Sequence, residues 1–284
     1  MKDILFIIPV FNDWGSLKKL IKKIDINIKD FGGNHKILII NDCSTIKPFL
    51  KIKKLNNIHQ IKLLNLKKNV GSQKAIFIAL KYIEKIKKNL IISILDSDGE
   101  DDPDKLSSLI NLAIIKKNYI IVANRIKRQE NFFLKFLNRV RIFLTFLITG
   151  KYINFGNFSS FNSLNLKQIL SNNNAWLAYS ACIKKNCKNI TSIDIEKKKR
   201  YLGFSKVNFY FLFLHSIKII SVFTNEIFYR SLILISLVLL INNKIFLPYI
   251  ILIIILFNFF LFIFRKKNEL NKNPLKLIDS VKII

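Results

Sequence analysis

Along the first two hundred residues, short continuous apolar runs alternate with stretches whose apolar positions recur at helical spacing. The runs Asp3 to Pro9, Lys36 to Asn41, Gln60 to Leu64, Leu90 to Leu95 and Tyr119 to Ala123 are rich in isoleucine and leucine. Such runs predict strands covered on both faces, as in a parallel sheet. Between them, Trp14 to Lys29, Ser72 to Lys88 and Asp104 to Lys117 read as amphipathic helices. The alternation predicts an α/β fold with a doubly wound, Rossmann-like and mostly parallel sheet over residues 1–208. Met1 to Val10 lacks the length and the small-residue cleavage site of a signal peptide.

Beyond residue 208 the pattern changes. Ile245 to Phe264 is apolar except for Pro248 and Asn258, and at about 1.5 Å per residue it reaches the hydrocarbon thickness of a bilayer. A shorter run, Ser231 to Ile241, precedes it across Asn242-Asn243-Lys244. Arg230 stands before the first run and Arg265-Lys266-Lys267 after the second. Positive flanks on one side require an even number of crossings, which predicts a transmembrane helical hairpin over 229–264 and a basic cytoplasmic tail over 265–284. Phe132 to Ile148 places apolar residues at helical spacing with Lys135, Arg139 and Arg141 interspersed, and Phe209 to Phe228 is very aromatic with Lys218 and Glu226 as its only formal charges. Each fits either an interfacial helix in a headgroup layer or a helix packed on the core. The division expected is therefore 1–208, an interfacial segment 209–228, the hairpin, and the tail.

Composition narrows the function classes. The 284 residues carry a net charge of +29, almost entirely from 40 lysines; there are seven arginines, none before Arg125. Lys, Asn, Ile and Phe are abundant together, which follows from A/T-rich codons, and no stretch interleaves aromatics and basics as a nucleic-acid platform does. Nucleic acid is therefore not an expected partner, whereas a lipid bilayer is. Three cysteines exclude a disulfide scaffold, and three scattered histidines give no metal site.

Four constellations stand at the carboxyl ends of expected strands or open a helix, where open α/β sheets bind ligands. They are Pro9-Val10-Phe11-Asn12-Asp13, Asn41-Asp42-Cys43-Ser44-Thr45, Asn69-Val70-Gly71-Ser72-Gln73-Lys74 and Asp96-Ser97-Asp98-Gly99-Glu100-Asp101-Asp102-Pro103. Pro9, Asn12, Asp13, Asp42, Asn69, Gly71, Lys74 and Asp96 are the candidates for binding a nucleotide donor. No G-x-G-x-x-G or P-loop motif is present. Asp96, Asp98 and Glu100 are spaced by two, so an extended loop projects them to one side. Three hard oxygen ligands suit Mg²⁺ or Mn²⁺ shared with a diphosphate. A calcium loop would need Glu at its twelfth position, where Ser107 stands.

Together these segments resemble the family-two glycosyltransferases of the GT-A fold, and among them the polyprenyl-phosphate sugar transferases. "IIPVFND" resembles the opening strand and turn, "INDCST" the nucleotide-reading D-D-G-S-T with Asp42 at its base, "NVGSQKA" N-x-G-x-x-x-A, and "DSDGEDDP" D-x-D-x-Q-x-x-P. "RYLGFSKV" resembles R-x-x-G-x-S-K-[YW] through Arg200, Gly203, Ser205 and Lys206. Asn41, Cys43 and Glu100 depart from the usual Asp, Gly and Gln, and "INFGNFSSF" puts Asn154, Asn157 and Ser159 at and around the D-x-G-x-F-R positions. The resemblance implies inverting, metal-dependent transfer of a sugar from a nucleotide donor to polyprenyl phosphate at the cytoplasmic face of the membrane.

A lipid phosphate is ionised at neutral pH and needs no general base; it needs cations to hold it beside an anionic donor. Arg125 and Arg139 are the candidate acceptor clamp, Arg200 and Lys206 the candidate diphosphate ligands, and Asp98 the central acid. Arg128 and Arg141 are expected to face headgroups. Two other readings remain open: a family-two transferase acting on a glycan or other non-lipid acceptor, and a membrane-anchored scaffold with a decayed site. Association of copies through the membrane helices is a further expectation.

Overall fold

The computed structural model describes residues 2–48, 55–85, 89–127, 132–203, 209–240, 246–270 and 273–284. Arg128, Ser205, Lys206, the end of the Ser72 to Lys88 helix and the turn Asn242 to Lys244 lie outside the described residues.

One mixed sheet organises the chain. Its strands are β1 (Ile4–Val10), β2 (His35–Asn41), β3 (Ile58–Leu66), β4 (Ile91–Ile94), β5 (Ile120–Lys127), β6 (Phe155–Asn162), β7 (Ile190–Glu196) and β8 (Ile278–Ile283), in the order β7-β5-β6-β4-β1-β2-β3-β8. β1 pairs parallel with β2 and β4, β2 with β3, and β5 with β7; β6 runs antiparallel between β4 and β5, and β8 antiparallel to β3. The continuous apolar runs are the central parallel strands. β1 is buried at six of seven positions because helices cover both faces.

On one face lie α1 (Trp14–Asn27) and α3 (Leu106–Ile115), packed over Phe6, Ile8, Ile39 and Ile121. On the other lie α2 (Ser72–Ile83), the short α5 (Leu166–Ile169) and α6 (Asn174–Leu177), and α7 (Tyr179–Asn186), over Ile7, Leu38, Ile92 and Phe161. The excursion between β5 and β6 is α4 (Phe132–Thr149). The last helices are α8 (Phe209–Val222), α9 (Thr224–Leu239) and α10 (Leu247–Asn268).

The segment expected as one interfacial stretch over 209–228 is two helices. α8 and α9 meet at Phe223 with a bend of 80°, and Ile219, Val222 and Phe223 are buried against α6 and α7. The inner side of α8 is thus a core face. α10 is long and apolar enough to cross a membrane, with a mean hydropathy of 2.8 and almost none of its length buried. Pro248 sits in its first turn, where the missing N–H costs nothing, and Arg265, Lys266 and Lys267 fall in its last turn, where they complement the helix dipole. Asn258, midway along α10, donates to Ser231 Oγ of α9 at 2.8 Å and to the carbonyl of Ile254.

The expected tail is not a free tail. After α10 the chain turns through Pro274–Leu277 and returns as β8, pairing with β3 from Lys62↔Ile283 to Leu66↔Ile278. Its pattern, half-buried then exposed, is that of an edge strand, and hydropathy alone does not announce it.

Candidate active site

The site residues gather at the carboxyl ends of β1, β2, β4 and β5. The loop after β4 turns sharply at Gly99 (φ +80), against the ring of Tyr201. Residues 197–201 are laid across this acidic loop as a strap. The amide of Lys198 donates to Glu100 O at 2.9 Å, and that of Tyr201 to Asp98 O at 3.0 Å. Side chains add to it: Lys197 pairs with Glu100 at 2.9 Å and Lys198 with Asp102 at 3.4 Å.

Arg200 is the centre of the strap. One guanidinium nitrogen lies 3.1 Å from Asp98 Oδ2 and another 2.6 Å from Asp13 Oδ2, joining the loops after β4 and β1. Arg125, on β5, bonds Asp101 Oδ1 at 2.8 Å with both side chains largely buried. Burial opposes the Arg125 charge, but Asp101, Asp96 and Glu100 outweigh it and hold the guanidinium more firmly protonated than usual. A Cβ at Gly156 would come within 2.9 Å of the Arg125 guanidinium and make it shift.

Asp96 and Asp98 are both pushed above the ordinary carboxylate range. Burial is the first cause for each; for Asp96 the next is Asp101, and for Asp98 it is Asp96 and then Glu100. Asp96 is held by a relay that motif reading passed over. Asn157 Nδ2 donates to Asp96 Oδ1 at 2.9 Å, Gln73 Nε2 to Asn157 Oδ1 at 2.8 Å, and the amide of Tyr179 to Gln73 Oε1 at 2.7 Å. Gln73 lies inside the "NVGSQKA" segment, where Asn69, Gly71 and Lys74 had drawn the attention. Asn157 is on β6, between β4 and β5 in the sheet.

The expected metal trio is not assembled. Glu100 is turned to Lys197, and among the described residues no three His, Cys, Asp or Glu side chains come together as a metal cage. Asp96 and Asp98 remain as two hard, charge-starved oxygen donors. That fits an ion of the Mg²⁺ or Mn²⁺ type, which takes one or two carboxylates and completes its shell with phosphate and water.

The remaining candidates divide. Asp42 accepts the amides of Val70 and Gly71, each at 2.8 Å; burial raises its pKa and these bonds pull it back. It therefore ties the β2 end to the start of α2. Asn12 (φ +56) donates its amide N–H to Ser44 Oγ and accepts from the amide of Ile46, both at 3.0 Å. Pro9 is buried in β1, Asn69 is exposed, and Gly71 (φ +87) has open space around it. Lys74 lies over the Trp176 ring at 4.7 Å, its pKa lowered by burial and then by Lys218 and Lys68. Arg139 is exposed on α4, while Arg141 is half-buried and bonds Asn138.

A family model described as Glycosyl transferase family 2 matches residues 5–173, which span every one of these loops except the strap. The chain belongs to that family. It is a nucleotide-sugar glycosyltransferase of the GT-A fold. Among solved structures it is similar to glucosyl-3-phosphoglycerate synthase from Mycobacterium tuberculosis in complex with Mn²⁺, uridine diphosphate and phosphoglyceric acid, at 10% identity and TM-score 0.52, covering 80% of this chain and 78% of that one. A second similar structure is described as a mycobacterial protein, at 10% identity and TM-score 0.54, covering 79% and 74%. At these identities the likeness is one of fold.

Proposed function

We propose that this glycosyltransferase moves a sugar, with inversion, from a nucleotide sugar to a polyprenyl phosphate at the cytoplasmic face of a membrane. One observation carries the reading. α4 joins two strands of the site, leaving β5 just after Arg125 and entering β6 just before Asn157, and its exposed side is apolar apart from Arg139. Phe136, Phe143, Leu144 and Leu147 are each about half exposed or more. The end of α4 is tied to α9 through Arg230, which donates to the carbonyl of Leu147, and α9 packs on α10. An apolar surface that starts at the active site suits an acceptor whose reactive phosphate sits at the end of a lipid.

In this reading α9 and α10 are a membrane hairpin. The return of the chain to the sheet as β8 supports an even number of crossings. Pro9, Asn12, Asp13, Asp42, Asn69 and Gly71 form the donor side, with Lys74 beyond them. Asp96 and Asp98 would hold Mg²⁺ or Mn²⁺, which would supply charge neutralisation for the departing nucleoside diphosphate. Arg200, now on Asp13 and Asp98, sits where its guanidinium passes to the diphosphate when donor enters. Arg125 orients the acceptor phosphate, whose oxygen attacks the anomeric carbon from the side opposite the leaving group. The acceptor carries no proton to remove, so no general base is assigned.

Membranes containing the protein, incubated with a panel of labelled nucleotide sugars and polyprenyl phosphate, are expected to yield label in the organic extract. Label in a water-soluble glycan would move the acceptor to the non-lipid class, and no transfer with any donor would favour a scaffold.

A further inference from the structure

We infer that the C-terminal strand β8 is a working part of the donor site, positioning the loops after β1 and β2 through a row of polar side chains. The inference rests on those loops being the donor-binding side, as proposed above.

The row crosses three strands in register: Asn41 of β2 faces Asn65 of β3, and Asn65 faces Ser280 of β8. Its hydrogen bonds have one direction. The amide of Ser44 donates to Asn41 Oδ1 at 2.9 Å, Asn41 Nδ2 to Asn65 Oδ1 at 2.9 Å, and Asn65 Nδ2 to Ser280 Oγ at 3.0 Å. A backbone N–H can only donate, so Ser44 fixes the carbonyl end of Asn41. That aims the Asn41 amino group at Asn65 and leaves Ser280 as the acceptor that ends the chain. From Ser44 the chain runs on to the site, because its Oγ accepts the amide of Asn12. Asn12 in turn holds Thr45 and Ile46, and the Trp14 indole bonds the Ile46 carbonyl at 2.9 Å.

A second link reaches the same place. The amide of Lys67 donates to Leu277 O at 2.9 Å, and Lys67 O faces Cys43 Sγ at 3.7 Å. Asn12 (φ +56) and Cys43 (φ +58) are the two non-glycine residues with left-handed backbone among the described residues. Such conformations persist where the surroundings over-determine them, and part of that surrounding is anchored on β8 for Asn12 and on the turn that leads into β8 for Cys43.

The test uses the full-length protein in detergent, titrated calorimetrically with UDP, GDP, CDP and dTDP in the presence of Mn²⁺. Ser280→Val keeps β propensity and loses the acceptor; Ser280→Thr keeps it. For the nucleoside diphosphate that wild type binds, Ser280→Val is expected to weaken affinity about fivefold, the scale of one lost hydrogen bond. Ser280→Thr should stay within about twofold of wild type. In turnover the Ser280→Val donor KM should rise with the acceptor KM unchanged. Equal affinity in Ser280→Val and wild type would overturn the inference while leaving the transferase reading intact. A loss in both variants, or one spread over both substrates, would show β8 to be merely structural. Wild type binding none of the four would overturn the donor reading itself, and this one with it.

Discussion

At Asp98 two demands meet. Its carboxylate is buried beside Asp96, and Arg200 is the cation that tempers it in the absence of donor. Asp98→Asn removes charge and no core packing, so transfer should fall by the equivalent of about 3 kcal/mol of transition-state stabilisation while the thermal midpoint holds or rises. Activity within about twofold of wild type would show that the metal is held elsewhere. The raised carboxyl also makes a pH prediction. A carboxyl that prefers its proton in the fold binds more protons folded than unfolded, so stability falls as pH rises. The window opens at the ordinary value of 3.8 and closes near neutrality. Melting in EDTA should show that decline, and Mn²⁺ should abolish it at its upper end. One shell out, Asn157→Leu leaves Asp96 Oδ1 without its donor and Gln73 Nε2 without its acceptor. A cost of about 1–3 kcal/mol in urea unfolding is expected, together with weakened metal dependence of turnover.

Among elements, the strap over the acidic loop depends on Gly99. A methyl there would strike the Tyr201 ring, and the backbone is left-handed. Gly99→Ala should lift residues 197–201 off the loop, raising donor KM by about tenfold or more, with the thermal midpoint reporting how far the damage spreads. The strap also shows which features a sequence displays. The central strands were legible because a sheet covered on both faces needs unbroken apolar runs, as in β1 and β2. β6 was not: Ser159, Ser160 and Asn162 are buried polar residues, satisfied by Tyr179, Ser93 and Asn89. Hydropathy sees their polarity and not their partners. The acidic loop was legible because its carboxylates are local, whereas the Gln73–Asn157–Asp96 relay joins residues 84 and 61 positions apart. Arg139 and Arg141 are two residues apart on α4, and so about 200° around the helix. Which of them turns inward depends on the phase of the helix, which only packing supplies.

For the whole molecule, the proposed hairpin commits to a topology. With a hairpin of α9 and α10, Leu240 should face away from the cytoplasm and Ile284 should face it. In a background lacking the three native cysteines, Leu240→Cys should react with an impermeant thiol reagent in intact cells. Ile284→Cys should react only after permeabilisation. Labelling of Ile284→Cys in intact cells would leave a single crossing and put β8 on the wrong side of the bilayer from β3.

The same strand sets a clock. Asn65 and Ser280 are 215 positions apart, with both late apolar helices between them. Synthesis proceeds from the amino end, so seven strands and the acidic loop have left the ribosome before the eighth exists. With the proposed hairpin, the edge of β3 stays bare until α9 and α10 are lodged in lipid and β8 has emerged. If β8 holds the donor loops as inferred and α9 and α10 are the proposed hairpin, full donor affinity follows insertion. On that reading a nascent catalytic domain holds its sugar nucleotide weakly until the late helices are in the bilayer.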